Sequence, residues 1–275
     1  MLFRSDTMAK YEGMLAETVL INGHNGDQID AYLARPLGGD PVGAVVLIHH
    51  MPGWDEASKE MARKLAYNGF ATISPNLHFR QGQATLQDNS ASIRDAGGMP
   101  DDRTMGDVQA AIDYLRTLPY TNGKVGIIGF CSGGRQVVLG ACTLKGVDAA
   151  VNCWGGGVTP RDSEPATPAM PKSPIDFIAD LSCPMLGIFG NDDARPTPEE
   201  VNVLEAALKA NNKTYEFHRY DNAGHGFFAV DRPSYAQEAA VAGWGEALAW
   251  FNKYLGGGAG ANGQGAGQVP TAARV

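Results

Sequence analysis

Five short apolar runs constrain this chain more than anything else in it. "GAVVLIHH" (43–50), "FATISPN" (70–76), "KVGIIGF" (124–130), "VDAAVNCW" (147–154) and "PMLGIFG" (184–190) each end at a glycine, a proline or a polar turn. Continuous runs of this length are the mark of strands buried on both faces. Between most of them lie segments of helical period, such as "DRTMGDVQAAIDYLRTLP", with Met105, Val108, Ile112 and Leu115 on one face. Strand and helix in alternation specify a mostly parallel sheet covered by helices on both sides. With 275 residues, 44% hydrophobic and 19% charged, the chain suits one large α/β domain with a sizeable core.

The remaining elements follow from local chemistry. "ETVLING" and "QIDAYLARP" read as an opening strand pair joined by the turn-forming "GHNGD". A helix is expected across "DEASKEMARKLAYNG", capped near Asp55 and stopped by Gly69. Thr197 and Glu200 form the capping-box pattern at the start of "TPEEVNVLEAALKANN". "TYEFHRY" is the last strand, and "AQEAAVAGWGEALAWFNKYL" the last helix, with Ala240, Trp244, Leu248, Phe251 and Leu255 down one face. Residues 79–101 and 155–173 read as two long loops of the kind that form lids or binding walls. The domain is expected over 15–255, preceded by an extension (1–14) and followed by a Gly-rich tail (256–275) too poor in apolar residues to order itself.

Net charge and cysteine usage exclude several classes of function. A net charge of −8 argues against nucleic acid or an anionic membrane as the main partner, which leaves a small molecule. No run approaches the ~20 apolar residues of a membrane span, and the N-terminal stretch lacks a signal-peptide core. The four cysteines (131, 142, 153 and 183) lack disulfide-framework or zinc-ligand spacing, so reduced thiols and a cytoplasmic setting are expected. Cys142, Cys153 and Cys183 sit in apolar contexts and read as core residues.

Chemistry is concentrated at "VGIIGFCSGGRQ". A nucleophile on a sharp strand-to-helix turn needs small residues two places to either side, where side chains would collide with the turn. Gly129 and Gly133 stand there for Cys131, whereas a turn centred on Ser132 would require a small residue at Phe130. Cys131 is therefore the expected nucleophile. Ser132 is read as the donor of a backbone N–H to an oxyanion hole, with the Met51 N–H of "HHMPGW" as the second donor. The bland alternative is a Gly-rich turn around a buried structural cysteine.

A cysteine nucleophile needs a base, and the base needs an orienting acid. His225 lies just past the last strand in the small-residue turn "DNAGHGFF", while His218 alternates within a strand. His225 is accordingly the expected base. The acid follows the strand "PMLGIFG": Asp193 stands three residues beyond Gly190, with Asp192 as the alternative. His49 and His50 lack further ligands at metal spacing, so no metal is expected, and the pair reads as side chains positioned beside the nucleophile.

"GFCSGG", "GNDDARPTPEE", "AGHGFF" and "SPNLHFRQG" together resemble the dienelactone hydrolase family of α/β hydrolases, over about residues 15–255. The resemblance implies an α/β-hydrolase fold with about eight strands, a Cys131–Asp193–His225 triad, and hydrolysis of a small lactone or activated ester through a thioester; the alternatives are a hydrolase of another acyl substrate (aryl ester, thioester or acyl-peptide) and a non-catalytic small-ligand binder on the same fold. It also implies no cofactor and a monomer or weak homo-oligomer. By the same resemblance, Arg80 and His50 would contact substrate, Arg80 gripping a carboxylate. His50 stands where members of the family often carry a glutamate, and no arginine closely follows the base, the first being Arg232.

Overall fold

The computed structural model describes residues 13–256 except 39, 83, 162 and 164. Most of the expected extension and almost all of the expected tail therefore lie outside the described residues. Eight strands form one sheet: β1 (Met14–Asn22), β2 (Gln28–Pro36), β3 (Val42–Ile48), β4 (Ala71–Pro75), β5 (Thr121–Phe130), β6 (Ala149–Cys153), β7 (Met185–Gly190) and β8 (Tyr215–Tyr220). Their order is β1-β2-β4-β3-β5-β6-β7-β8. β1 with β2 and β2 with β4 are antiparallel, and every later pairing is parallel. β3, β4, β6 and β7 are buried at every residue, as continuous apolar runs require.

Six helices cover the sheet: α1 (Glu56–Tyr67), α2 (Leu86–Asp95), α3 (Asp101–Thr117), α4 (Ser132–Thr143), α5 (Pro198–Ala210) and α6 (Gln237–Leu255). One core layer joins the sheet to α3, α4 and α5 through Val108, Ile112, Val137, Val138, Leu204 and Leu208. The other joins it to α1 and α6 through Ala62, Leu65, Trp244 and Phe251. Asp55 caps α1 by accepting from the Ser58 N–H (2.9 Å), and the Thr197–Glu200 capping box opens α5.

Residues 79–101 depart from the long loop expected of them. Thr85 caps α2, its Oγ1 accepting from the Asp88 N–H (3.1 Å). The face that α2 buries is Asn89, Ser90 and Ile93. Two of these three are polar, so the helical period leaves no apolar trace in the sequence. The described residues of the 155–173 segment are irregular and lead into a short 3-10 turn at Pro174–Asp180. The two segments meet: Thr167 Oγ1 donates to Gly97 O (2.7 Å), and the Asp101 N–H donates to Ala169 O (2.9 Å).

Candidate active site

β5 runs between β3 and β6, with Gly129 opposite both Ile48 and Asn152, so its carboxyl end opens at the middle of the sheet. Cys131 is the next residue. Its backbone lies at φ 55°, ψ −118°, a region that costs about 1–3 kcal/mol and persists only when the surroundings impose it. A Cβ on Gly129 would come within 2.2 Å of Gly133 O, and one on Gly133 within 2.2 Å of Ile48 O. The two glycines thus let β3, β5 and the start of α4 close around the cysteine.

His225 and Asp193 arrive on neighbouring loops. Gly190 permits the contact, since a Cβ there would sit 2.1 Å from Ala223 O. The Asp192 N–H donates to that same oxygen (3.0 Å), and the Asn191 N–H to Tyr220 O (2.8 Å). Beyond this seam Asp193 turns inward, its side chain 1% exposed, with Oδ2 2.9 Å from His225 Nδ1. Asp193 Oδ1 accepts from the Arg195 N–H (2.8 Å). Asp192 stays exposed at the cleft. Phe227 and Phe228, two and three residues after His225, pack into an aromatic cluster with Phe130, Trp154 and Trp244 that anchors the His225 turn.

His225 first, and then the backbone N–H groups of Ser132 and Met51, favour the charged form of the Cys131 thiol. Burial works against its ionisation, but these partners outweigh burial and bring its pKa below 9.0. Burial likewise opposes charge on His225, yet the hydrogen bonds to Asp193 and Cys131 raise it to about 10. The pair therefore favours thiolate and imidazolium. The other thiols differ: burial pushes Cys142 and Cys183 up to about 12 and Cys153 well above 9.0. Those three are core residues, all free of disulfides.

Cys131 and His225 line a cleft of about 1110 Å³. Both long segments contribute to its walls, through Arg94, Gly97 and Gly98 from the first and 156–173 residues such as Thr167 and Met170 from the second. Arg94, Arg135, Arg161, Lys172 and Arg195 give the cleft a cationic lining, against Asp176, Asp192 and Asp193. Arg135 is committed to Asp101 (2.5 and 2.9 Å), and Arg161 pairs with Glu200. Sequence reasoning missed this lining because each arginine is unremarkable in its own segment.

Two expected substrate contacts lie elsewhere. Arg80 does not line the cleft: it binds Asp107 (2.7 Å), whose side chain is 0% exposed, and Asp27 (2.7 Å), tying the β1–β2 turn to α3. A buried carboxylate demands a partner more strongly than an open cleft does, which corrects the reading of Arg80 as a substrate grip. His50 is also absent from the lining, its Nε2 held 2.6 Å from Asp55 Oδ2. Among the described residues the grouping of metal-ligand type is Glu216, His218 and Glu246, on β8 and α6 rather than at the cleft, with His218 already bonded to Glu216 (2.7 Å).

A strained elbow at the carboxyl end of a central parallel strand, in an eight-stranded sheet of this order, defines an α/β hydrolase. Comparison with known proteins narrows the class: residues 29–255 match the Dienelactone hydrolase family. The chain belongs to that family and is a hydrolase of carboxylic ester bonds. A protein of Methylorubrum extorquens, provisionally named carboxymethylenebutenolidase, is 34% identical over 245 residues, 88% of this chain and 82% of the relative. A Bradyrhizobium protein, provisionally named a 2-oxo-3-(5-oxofuran-2-ylidene)propanoate lactonase, is 29% identical, covering 88% of this chain and 98% of its own. The crystal structure of a provisionally named dienelactone hydrolase from Klebsiella pneumoniae superposes with a TM-score of 0.78 at 31% identity, over 88% of this chain and all of that one.

Proposed function

We propose that the protein hydrolyses carboxylate-bearing lactones or activated esters with Cys131 as nucleophile, His225 as base and acid, and Asp193 as orienting acid. The observation that carries this reading is the strained Cys131, which lines one cationic cleft together with Met51, Ser132 and a His225 held by Asp193.

In the first half-reaction the Cys131 thiolate attacks the acyl carbon, and charge moves to the carbonyl oxygen, held by the Ser132 and Met51 N–H groups. The tetrahedral adduct collapses with cleavage of the acyl C–O bond, and the imidazolium of His225 protonates the departing oxygen. For a lactone that oxygen remains tethered to the acyl chain, now a thioester on Cys131. Neutral His225 then takes a proton from water as the water oxygen attacks the thioester. A second oxyanion forms, the C–S bond breaks, and thiolate and imidazolium are restored. Sulfur leaves readily, so the first step proceeds only when the ester oxygen is also a good leaving group, as in an enol lactone.

The cleft supports an anionic acyl group. Arg94 and Lys172 make no ion pair among the described residues, and both face the space beside Cys131. The Bradyrhizobium relative is named for a propanoate-bearing lactone, which has this chemistry. Turnover of a panel of lactones and p-nitrophenyl esters tests the reading. Cys131→Ala should abolish turnover and thioester formation, while Ser132→Ala should retain kcat within about threefold, since Ser132 acts through its backbone. Full activity in Cys131→Ala with loss in Ser132→Ala would overturn the assignment.

A further inference from the structure

The Met51 amide can serve an oxyanion only if its peptide plane is turned the right way. In a trans peptide the N–H and the preceding carbonyl point in opposite directions, so the orientation of the His50 carbonyl decides where the Met51 N–H points. That carbonyl is gripped twice. Gly53 N–H donates to His50 O (3.0 Å), and His49 Nδ1 lies 2.8 Å from the same oxygen.

His49 is otherwise unexplained. It is 3% exposed, lies directly after β3, and does not line the cleft. Its other ring nitrogen, Nε2, is 3.2 Å from the backbone nitrogen of Leu77. The partners settle the tautomer. A backbone N–H can only donate, so Nε2 accepts; a carbonyl can only accept, so Nδ1 carries the proton. Burial, with the neighbouring His78 second, lowers the pKa of His49 to about 3, which keeps this neutral form. The ring also packs edge-on against His78, with centroids 4.8 Å apart, so it has no freedom to turn away.

We propose that His49 is a positioning residue for the oxyanion hole: its Nδ1–H fixes the His50 carbonyl and thereby aims the Met51 N–H at Cys131. This rests on the reading of Cys131 as nucleophile and of the Met51 amide as an oxyanion donor. A reversed peptide would withdraw the donor and face a carbonyl oxygen toward the thiolate, opposing both ionisation and attack. The adjoining peptide has a contact on the other side, where the one proton of Ser90 Oγ is shared between Met51 O (2.8 Å) and Leu86 O (2.7 Å). Both planes that flank Met51 are thus contacted from outside the cleft.

Substitutions at position 49 separate the two ring nitrogens. The amide of His49→Asn reaches the Nδ1 position and can donate to His50 O. The longer His49→Gln reaches only the Nε2 position, where it can serve Leu77. His49→Leu serves neither. The expected result is a kcat loss of about 10²-fold in His49→Gln and His49→Leu, the lower end of the cost of one oxyanion donor, with KM within about threefold. His49→Asn should keep at least about a third of kcat. Alkylation of Cys131 by iodoacetamide, read at a pH where the thiol is fully ionised, needs no oxyanion hole and should stay within about threefold in all three.

Should His49→Leu fold poorly, the Asn and Gln variants decide alone. The proposal is overturned if Gln preserves kcat and Asn does not, if both match wild type, or if the loss falls in KM. It is also overturned if full alkylation of Cys131 leaves wild-type turnover intact, a result that removes the nucleophile on which it rests and is distinguishable from failure of His49 alone.

Discussion

Gly129→Ala tests the elbow's steric logic with the smallest possible change. The added carbon would stand 2.2 Å from Gly133 O, 2.4 Å from Gly133 C and 3.0 Å from Gly134 N, all backbone atoms. Relief needs about 1 Å of movement, since non-bonded carbon contacts relax only near ~3.5 Å. β5 cannot yield, being paired at Gly129 to both β3 and β6. The start of α4 must therefore shift outward, carrying Ser132 with it. Overpacking costs about 1–3 kcal/mol, and with backbone on both sides the upper end, about 3 kcal/mol, applies. For a domain of this size that lowers Tm by roughly 6–12 °C.

On the proposed roles of Cys131 and Ser132, displacing them by about 1 Å lowers kcat/KM by about 10²-fold. Thermal unfolding and ester turnover on the same preparation read both effects. Gly245→Ala is the control, because a Cβ there meets nothing within 4 Å on α6. It should leave turnover unchanged and stabilise by about 0.5–1 kcal/mol. If Gly129→Ala keeps Tm within about 2 °C and kcat/KM within about twofold, the steric account of the elbow is wrong.

Other outcomes follow from the charges. The Cys131 pKa is lowered, so its thiolate is lost only as pH falls through a value below 9.0; the His225 pKa is raised, so its acid form is lost as pH rises through about 10. Alkylation of Cys131 should thus set in at lower pH than for a free thiol, and ester turnover should fall near pH about 10. Asp193→Asn should move that upper limb to lower pH, and an unmoved limb would disconnect Asp193 from the base. Arg80→Ala should cost about 3–5 kcal/mol by stranding the buried Asp107 carboxylate, with KM for anionic esters unchanged. Arg94→Ala with Lys172→Ala should raise KM for carboxylate-bearing esters at least about tenfold and leave neutral ones alone; an equal effect on both would remove the anion preference. His49 and His78 fold neutral with pKa values of about 3 and about 4, against 6.5 unfolded. The unfolded chain therefore binds protons first, and the stability present above pH 6.5 should decline on acidification. Together they account for roughly 3–4 kcal/mol by pH ~5, measurable as a falling Tm that His78→Asn should flatten.

Much of this protein was legible in its sequence because the deciding physics acts over a few residues. Continuous apolar runs must be buried on both faces, whatever lies around them. Gly129 and Gly133 admit one centre for the turn, and the strained backbone does fall at Cys131 rather than Ser132. The Asp55 cap and the Thr197–Glu200 box are likewise contacts three residues long. The family motifs carried the fold and the order of the remaining elements.

What the sequence left open was decided by partners distant along the chain. Asp193 rather than Asp192 meets His225 because a seam between two loops turns one inward and leaves the other in solvent. Arg80 was lost to the cleft through Asp107, a partner 27 residues away whose burial no local pattern reveals. α2 went unseen because the face it buries is mostly polar, and its Ser90 finds an acceptor 39 residues away, at Met51. The cationic cleft exists only where segments remote in sequence converge, and His49 gains a role only once its ring is enclosed against Leu77 and His78. Local sterics and periodicity are written residue by residue, whereas burial and charge pairing become definite only when the chain has closed.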